Sequence, residues 1–240
     1  MSGHSKWNNI KRTKEKSDAQ KGKIFTKLGR ELAVAAKEGG ADPNTNSRLK
    51  DAIAKAKQSN MPNDSIQRAI KKASGELSGV NYENCTYEGY GVGGSAVIVE
   101  CLTDNKNRTA GDVRHAFDKH GGSLGATGCV SYLFKRKGII MLEKSEKLDA
   151  DEVLMQALEA GAKDILEEEE SFIIETDSNE LNSVVEALVK CGLQPETYEV
   201  DLVPDMEVQL DENKQIQFEK MIDMLEDLDD VQNVYHNVRG

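Results

Sequence analysis

From residue 17 the apolar positions recur with helical spacing. Ile24, Leu28, Leu32 and Ala35 stand at i, i+4, i+8 and i+11, and Gly39-Gly40 closes the run. After the turn Ala41-Asp42-Pro43-Asn44, the pattern predicts a second helix over Ser47–Gln58, with Leu49, Ile53 and Ala56 on one side. Asn60-Met61-Pro62-Asn63 interrupts it, and Asn63 or Asp64 caps a third helix reaching Ser74, whose apolar side is Ile66, Ala69 and Ile70. Three helices with narrow, partly alanine faces make a small domain whose own stability is marginal.

Beyond Gly79 the period shortens. SAVIVECLT reads as a strand preceded by Gly89, Gly91, Gly93 and Gly94. A helix over residues 109–119 follows, with Val113, Ala116 and Phe117 apolar, and CVSYLF reads as another strand. From Gly138 the order is GIIMLE (strand), ADEVLMQALEAGA (helix), residues 164–170 and SFIIET (strands), NELNSVVEALVKCG (helix) and TYEVDLV (strand). That succession is β-α-β-β-α-β, the split motif of ferredoxin-like domains. A last helix carries Phe218, Met221, Ile222, Leu225 and Leu228, and the strand VQNVYHNV ends the chain. This lone α-β unit needs a sheet to join, and the first α+β region lacks one. The expected architecture is therefore α+β and multidomain: a three-helix N-terminal domain, then two α+β domains, one ferredoxin-like and inserted into the other. The expected limits are 1–78, 79–134 with 205–240, and 135–204.

Charge adds a direction to this layout. The 240 residues carry a formal net charge of −11, unevenly distributed. Residues 1–75 hold 17 Lys and Arg against 7 Asp and Glu; the remainder holds 14 against 35. A basic domain joined to acidic ones suggests oriented binding to a polyanion, the acidic part facing away or meeting a protein partner. No apolar run is long enough to span a bilayer. The N-terminus lacks the apolar core of a signal peptide and contains Glu15 and Asp18, so it reads as mature sequence. Cys85, Cys101, Cys129 and Cys191 are 16, 28 and 62 positions apart, without a CxxC pair or zinc spacing, which fits reduced thiols in the cytoplasm.

The candidate nucleic-acid residues lie in the basic part. Lys6, Lys11, Arg12, Lys14, Lys16, Lys21, Lys23, Lys27 and Arg30 fall within 25 positions. Cations at that density neutralise phosphates and release counterions. Trp7, the single tryptophan, either stacks on an unpaired base or folds back onto the helices. Gln67, Arg68, Lys71 and Lys72 on the third helix would face a major groove if the pair were a helix-turn-helix; an ordinary helical hairpin is the commoner arrangement.

Catalytic signals are weaker. YGVGG has no Walker lysine and leads into a strand, and GGSLGATG fails in the same way. His115 and His120 are five apart, which does not put both on one helical face. No metal set or catalytic triad can be assigned, so neither enzymatic activity nor a cofactor is expected.

Taken together, GHSKW, GKIFTKLGREL, NMPNDSIQRAIKKASGE, YEGYGVGG and TDNKNRTAGDVRHAFDKHGGSLG resemble the YebC/PmpR family over essentially the whole chain. These are small bacterial proteins related to the mitochondrial translational activator of cytochrome c oxidase. Val92 stands where the family motif has proline, and Asn63 where lysine often follows the proline. The resemblance implies a helical domain plus two α+β domains. It implies a DNA-binding transcriptional regulator on the bacterial side. The mitochondrial relatives, and a translation role proposed for bacterial members, imply instead a ribosome-associated factor on ribosomal RNA.

Overall fold

A computed structural model describes residues 18–74, 81–145 and 148–239. In chain order the main elements are α1 (Asp18–Gly39), α2 (Ser47–Gln58), α3 (Asn63–Ser74), β1 (Glu83–Tyr90), β2 (Ala96–Thr103), α4 (Lys106–Lys119), β3 (Ser123–Leu124) and β4 (Phe134–Glu143). They continue with α5 (Ala150–Ala160), β5 (Asp164–Glu167), β6 (Ser171–Asp177), α6 (Leu181–Lys190), β7 (Thr197–Pro204), α7 (Glu212–Glu226) and β8 (Val231–His236). The chain divides into two compact units. One holds Tyr132–Glu207; the other holds the described part of Asn9–Ser131 together with Val208–Val238.

In the helical region, Leu28, Leu32, Ala35 and Ala36 of α1 bury against Leu49, Ala52 and Ala56 of α2 and Ile66 and Ile70 of α3. One side chain sets the α1–α2 corner. The Oδ1 of Asn46 accepts the Leu49 N–H, capping α2, while its Nδ2 donates to the carbonyls of Ala35 and Gly40, both at 2.8 Å. Gly40 has φ +88, the left-handed conformation that stops a helix at little cost in glycine. A Cβ on Gly39 would lie 2.6 Å from the Asn46 amide, so the corner closes only over a bare backbone. Asn46→Ala removes the cap and the two hydrogen bonds to the Ala35 and Gly40 carbonyls. We expect a loss of about 2 kcal/mol, read as a lower urea midpoint at unchanged m-value.

The first sheet has the order β3-β1-β2-β8, antiparallel throughout. Its core combines Val97, Val99 and Cys101 of β2 with Val113, Ala116 and Phe117 of α4 and Phe218, Met221, Ile222 and Leu225 of α7. The lone C-terminal α-β unit therefore completes a sheet begun more than 100 positions earlier, β8 pairing with β2 from Val97↔His236. The second sheet, β5-β6-β4-β7, carries α5 and α6 on one face over Ile140, Leu142, Phe172 and Ile174. Its order and its β-α-β-β-α-β succession are those of a ferredoxin-like domain, inserted between the halves of the first.

Local boundaries depart from the periodicity in four places. CVSYLF is not a strand: Ser131–Leu133 form a 3-10 turn, and only Phe134 enters β4. The reason lies in Glu88, whose carboxylate takes the N–H groups of Gly128, Val130 and Ser131 at 2.8–3.0 Å, so that these amides cannot join a ladder. β1 and the two-residue β3 carry no run of apolar residues and give little signal. α4 begins at Lys106, three residues early, because Asn105 caps it by accepting the Arg108 N–H. β5 ends at Glu167, where Glu168 N–H turns back to the Ser171 carbonyl.

Candidate nucleic-acid interface

Helix α3 presents one basic face. Ile66 and Ile70 are buried, and Gln67, Arg68, Lys71 and Lys72 lie on the opposite, exposed side. Lys71 and Lys72 stand in the last turn, where cations complement the helix dipole. Neither they nor Arg68 form an ion pair with a described residue. The neighbouring helix is less open. Arg48 of α2 pairs with Glu38, and Lys55 lies 3.6 Å from Glu31, while Lys50 and Lys57 are exposed.

The cations of α1 have a different use. Lys23, Lys27 and Arg30 recur at i, i+4 and i+7 on a stripe roughly half a turn from Leu28, Leu32 and Ala35. This stripe meets the acidic turn between α7 and β8. Lys23 Nζ is 2.9 Å from Asp227 Oδ1, and Lys27 Nζ donates to the Glu226 carbonyl at 2.7 Å. Arg30 donates to Asp230 Oδ1 at 2.7 Å and to the Asp229 carbonyl at 2.8 Å, with its guanidinium 5.5 Å from the centre of the Tyr82 ring. Farther along α1, Lys37 donates to Asn81. Three of the residues expected to touch phosphate are thus held by the chain's own carboxylates and carbonyls.

Asp230 is the centre of that contact. Its Oδ2 accepts from Arg108 at 2.7 Å, from Thr109 at 2.8 Å and from Thr103 at 3.2 Å, and Arg108 also pairs with Asp104 at 2.7 Å. The Asp230 side chain is 9% exposed and that of Arg30 18%, so water screens the pair poorly. Burial alone would raise the Asp230 carboxyl. The hydrogen bonds from Arg108, Thr109 and Arg30 outweigh it and hold the group down at about 2.

Lys21 is exposed near the start of α1. Lys6, Trp7, Lys11, Arg12, Lys14 and Lys16 lie outside the described residues. The Asp230 cluster was not apparent from spacing. Its legible signal was the match between a cation stripe on α1 and the run Glu226-Asp227-Leu228-Asp229-Asp230, which only the fold brings together. Among the described residues, no group of three or more His, Cys, Asp or Glu is placed to hold a metal ion, and no helix is long and apolar enough to cross a membrane.

Comparison with known proteins covers nearly the full length. The model of the TACO1/YebC protein N-terminal domain matches residues 5–76, and that of the TACO1/YebC second and third domain matches residues 82–238. A probable transcriptional regulatory protein of Acetivibrio thermocellus is 58% identical, with 100% of both chains covered. One from Hathewaya histolytica is also 58% identical, over 99% of this chain and 96% of the relative. A conserved hypothetical protein of Aquifex aeolicus, known from a crystal structure, superposes with a TM-score of 0.82 at 49% identity, covering 93% of this chain and 92% of that one.

Proposed function

The chain belongs to the TACO1/YebC family, and on that premise we propose that it is a non-enzymatic, nucleic-acid-binding transcriptional regulator acting in the cytoplasm. The names of its relatives support the regulatory part of this reading. The observation that carries the binding part is the exposed face of Arg68, Lys71 and Lys72, which no described carboxylate neutralises. In the proposal, this face and the N-terminal cations Lys6, Lys11, Arg12, Lys14 and Lys16, with Trp7, belong to one domain, residues 1–78, that meets the polyanion. The acidic domains, 79–134 with 205–240 and 135–204, stay outside the contact.

A second reading, a ribosome-associated factor on ribosomal RNA, draws on the engagement of Lys23, Lys27 and Arg30 within the chain. With those three withdrawn, the described free surface is short and carries few groups that read base edges. Such a surface suits backbone contact on a structured RNA better than sequence readout in a duplex groove.

Titration of a labelled DNA duplex and a labelled RNA hairpin over a range of salt tests both readings. For the preferred nucleic acid, Arg68→Ala/Lys71→Ala/Lys72→Ala should weaken binding at least about tenfold. It should also lower the log–log salt slope by roughly 0.7–0.9 for each phosphate that is no longer neutralised. Tighter binding to a duplex of some sequence supports the regulator; preference for the hairpin supports the second reading. Unchanged affinity and slope in the triple variant would remove α3 from the interface.

A further inference from the structure

β1 and β2 pair along their whole lengths, and Cys85 stands directly opposite Cys101. Opposed residues of an antiparallel pair point to the same face, with Cα atoms about 4.5–5.5 Å apart, inside the span of about 4.4–6.8 Å that a disulfide bridges. Both thiols lie on the helix-covered side. Cys101 is 2% exposed in the core with Val97 and Val99, and Cys85 is half-buried and packs with Tyr87 against that core. The Cys85 thiol donates to Tyr87 Oη at 3.7 Å, and that hydroxyl donates to the Lys106 carbonyl at 3.1 Å. Each thiol therefore sits in an ordered position beside the other. Cys129 and Cys191 lie elsewhere, Cys129 next to Gly125 and Cys191 exposed at the end of α6.

We propose that Cys85 and Cys101 form a reversible cross-strand disulfide when the protein meets hydrogen peroxide. Cys85 reacts first because a small oxidant reaches it and Cys101 is enclosed. Its thiolate attacks a peroxide oxygen, the O–O bond breaks, and Cys85 becomes a sulfenic acid as one water is released. The Cys101 thiolate then attacks the sulfenic sulfur. The S–S bond forms, the S–O bond breaks, and the hydroxyl leaves with a proton as a second water. With hydrogen peroxide, two thiols give up two electrons and two protons and the peroxide becomes two waters. A small-molecule dithiol reverses the step by exchange. Burial, and after it the proximity of Cys85, hold the Cys101 thiol far above its ordinary range. Ring closure by Cys101 therefore quickens as pH rises.

The full chain is to be treated with hydrogen peroxide, blocked by alkylation and digested without reduction. No lysine or arginine lies between Lys72 and Lys106, so trypsin leaves both cysteines on one peptide, expected two hydrogens lighter. Cleavage after Glu88 and Glu100 then gives two peptides joined through Cys85 and Cys101, separated again by dithiothreitol. The link should form at least about tenfold faster in the native protein than in the denatured chain, because the fold holds the thiols together. Cys129→Ser/Cys191→Ser should leave its yield unchanged, and Cys85→Ser should leave Cys101 a free thiol. Any of three results overturns the proposal: accumulation of Cys85 sulfinic acid with Cys101 still alkylatable, linkage through Cys129 or Cys191, or no native linkage where Cys191 is oxidised.

Discussion

Asp230→Asn will loosen the packing of the helical region on the first sheet and lower stability by about 3 kcal/mol. The carboxylate joins Arg30 of α1 to Arg108 and Thr109 of α4, and its own side chain is 9% exposed. Breaking a largely buried ion pair from one side leaves the opposite charges uncompensated, at a cost of several kcal/mol; solvent access to Arg108 reduces that here. The amide keeps the shape and one acceptor, so the loss reports charge rather than volume. Limited proteolysis of the variant, followed against the parent protein, should be faster by one to two orders of magnitude where cleavage follows local opening.

The same carboxylate gives a pH test with a definite sign. Its folded value of about 2 is below the unfolded value of about 3.9, so it binds fewer protons in the folded state. Its contribution is complete above about pH 5 and is lost as pH falls through about 2, amounting to roughly 2–3 kcal/mol. Urea unfolding at a series of pH values should show a shallower acid limb in Asp230→Asn than in the parent. Parallel limbs would mean that Asp230 does not carry the acid sensitivity.

Glu88→Ala will cost about 3–4 kcal/mol, the largest effect expected for a single side chain in the first sheet. Its two oxygens accept three N–H groups from residues 128–131, and the side chain lies on β1 at 4% exposure. Truncation strands these donors, with the fully buried Val130 N–H the most costly, and hydrogen bonds to a charged acceptor are the stronger kind. Burial pushes the Glu88 carboxyl up, but the amides of Val130, Gly128 and Ser131 pull harder and leave it below its ordinary value. Its stabilisation therefore also fades in acid. Glu88→Gln retains an acceptor oxygen and should recover part of the loss. A thermal scan of the two variants is the measurement; an alanine variant melting with the parent would show that the loop holds itself.

The helices of this protein were legible because their evidence is local. Leu28, Leu32 and Ala35, and then Ile66 and Ile70, declare buried faces within a few turns. The ferredoxin-like order was legible for the same reason, since Ile140, Leu142, Phe172 and Ile174 lie in short apolar runs between two amphipathic helices. β1 was not, because ENCTYEGY has few apolar residues and is stabilised by pairing with β2 along its length. The strand expected at CVSYLF failed because the competing partner for its amides, Glu88, is some 40 positions away.

The candidate site divides along the same line. Periodicity sufficed to place Gln67, Arg68, Lys71 and Lys72 on one exposed face, because Ile66 and Ile70 define the opposite one. For Lys23, Lys27 and Arg30 it specified a stripe but not its neighbour. The residues that claim them begin at Glu226, and Arg30 and Asp230 are 200 positions apart. Sequence by itself determined the helices, the ferredoxin-like order, the family and the sign of the charge on each part of the chain, since these follow from side-chain type and spacing. Only the tertiary structure decided which cations remain on the surface and which are consumed within the molecule. A charge finds its partner through the chain's path in space, and that path is set by the burial of apolar residues remote from the charges themselves.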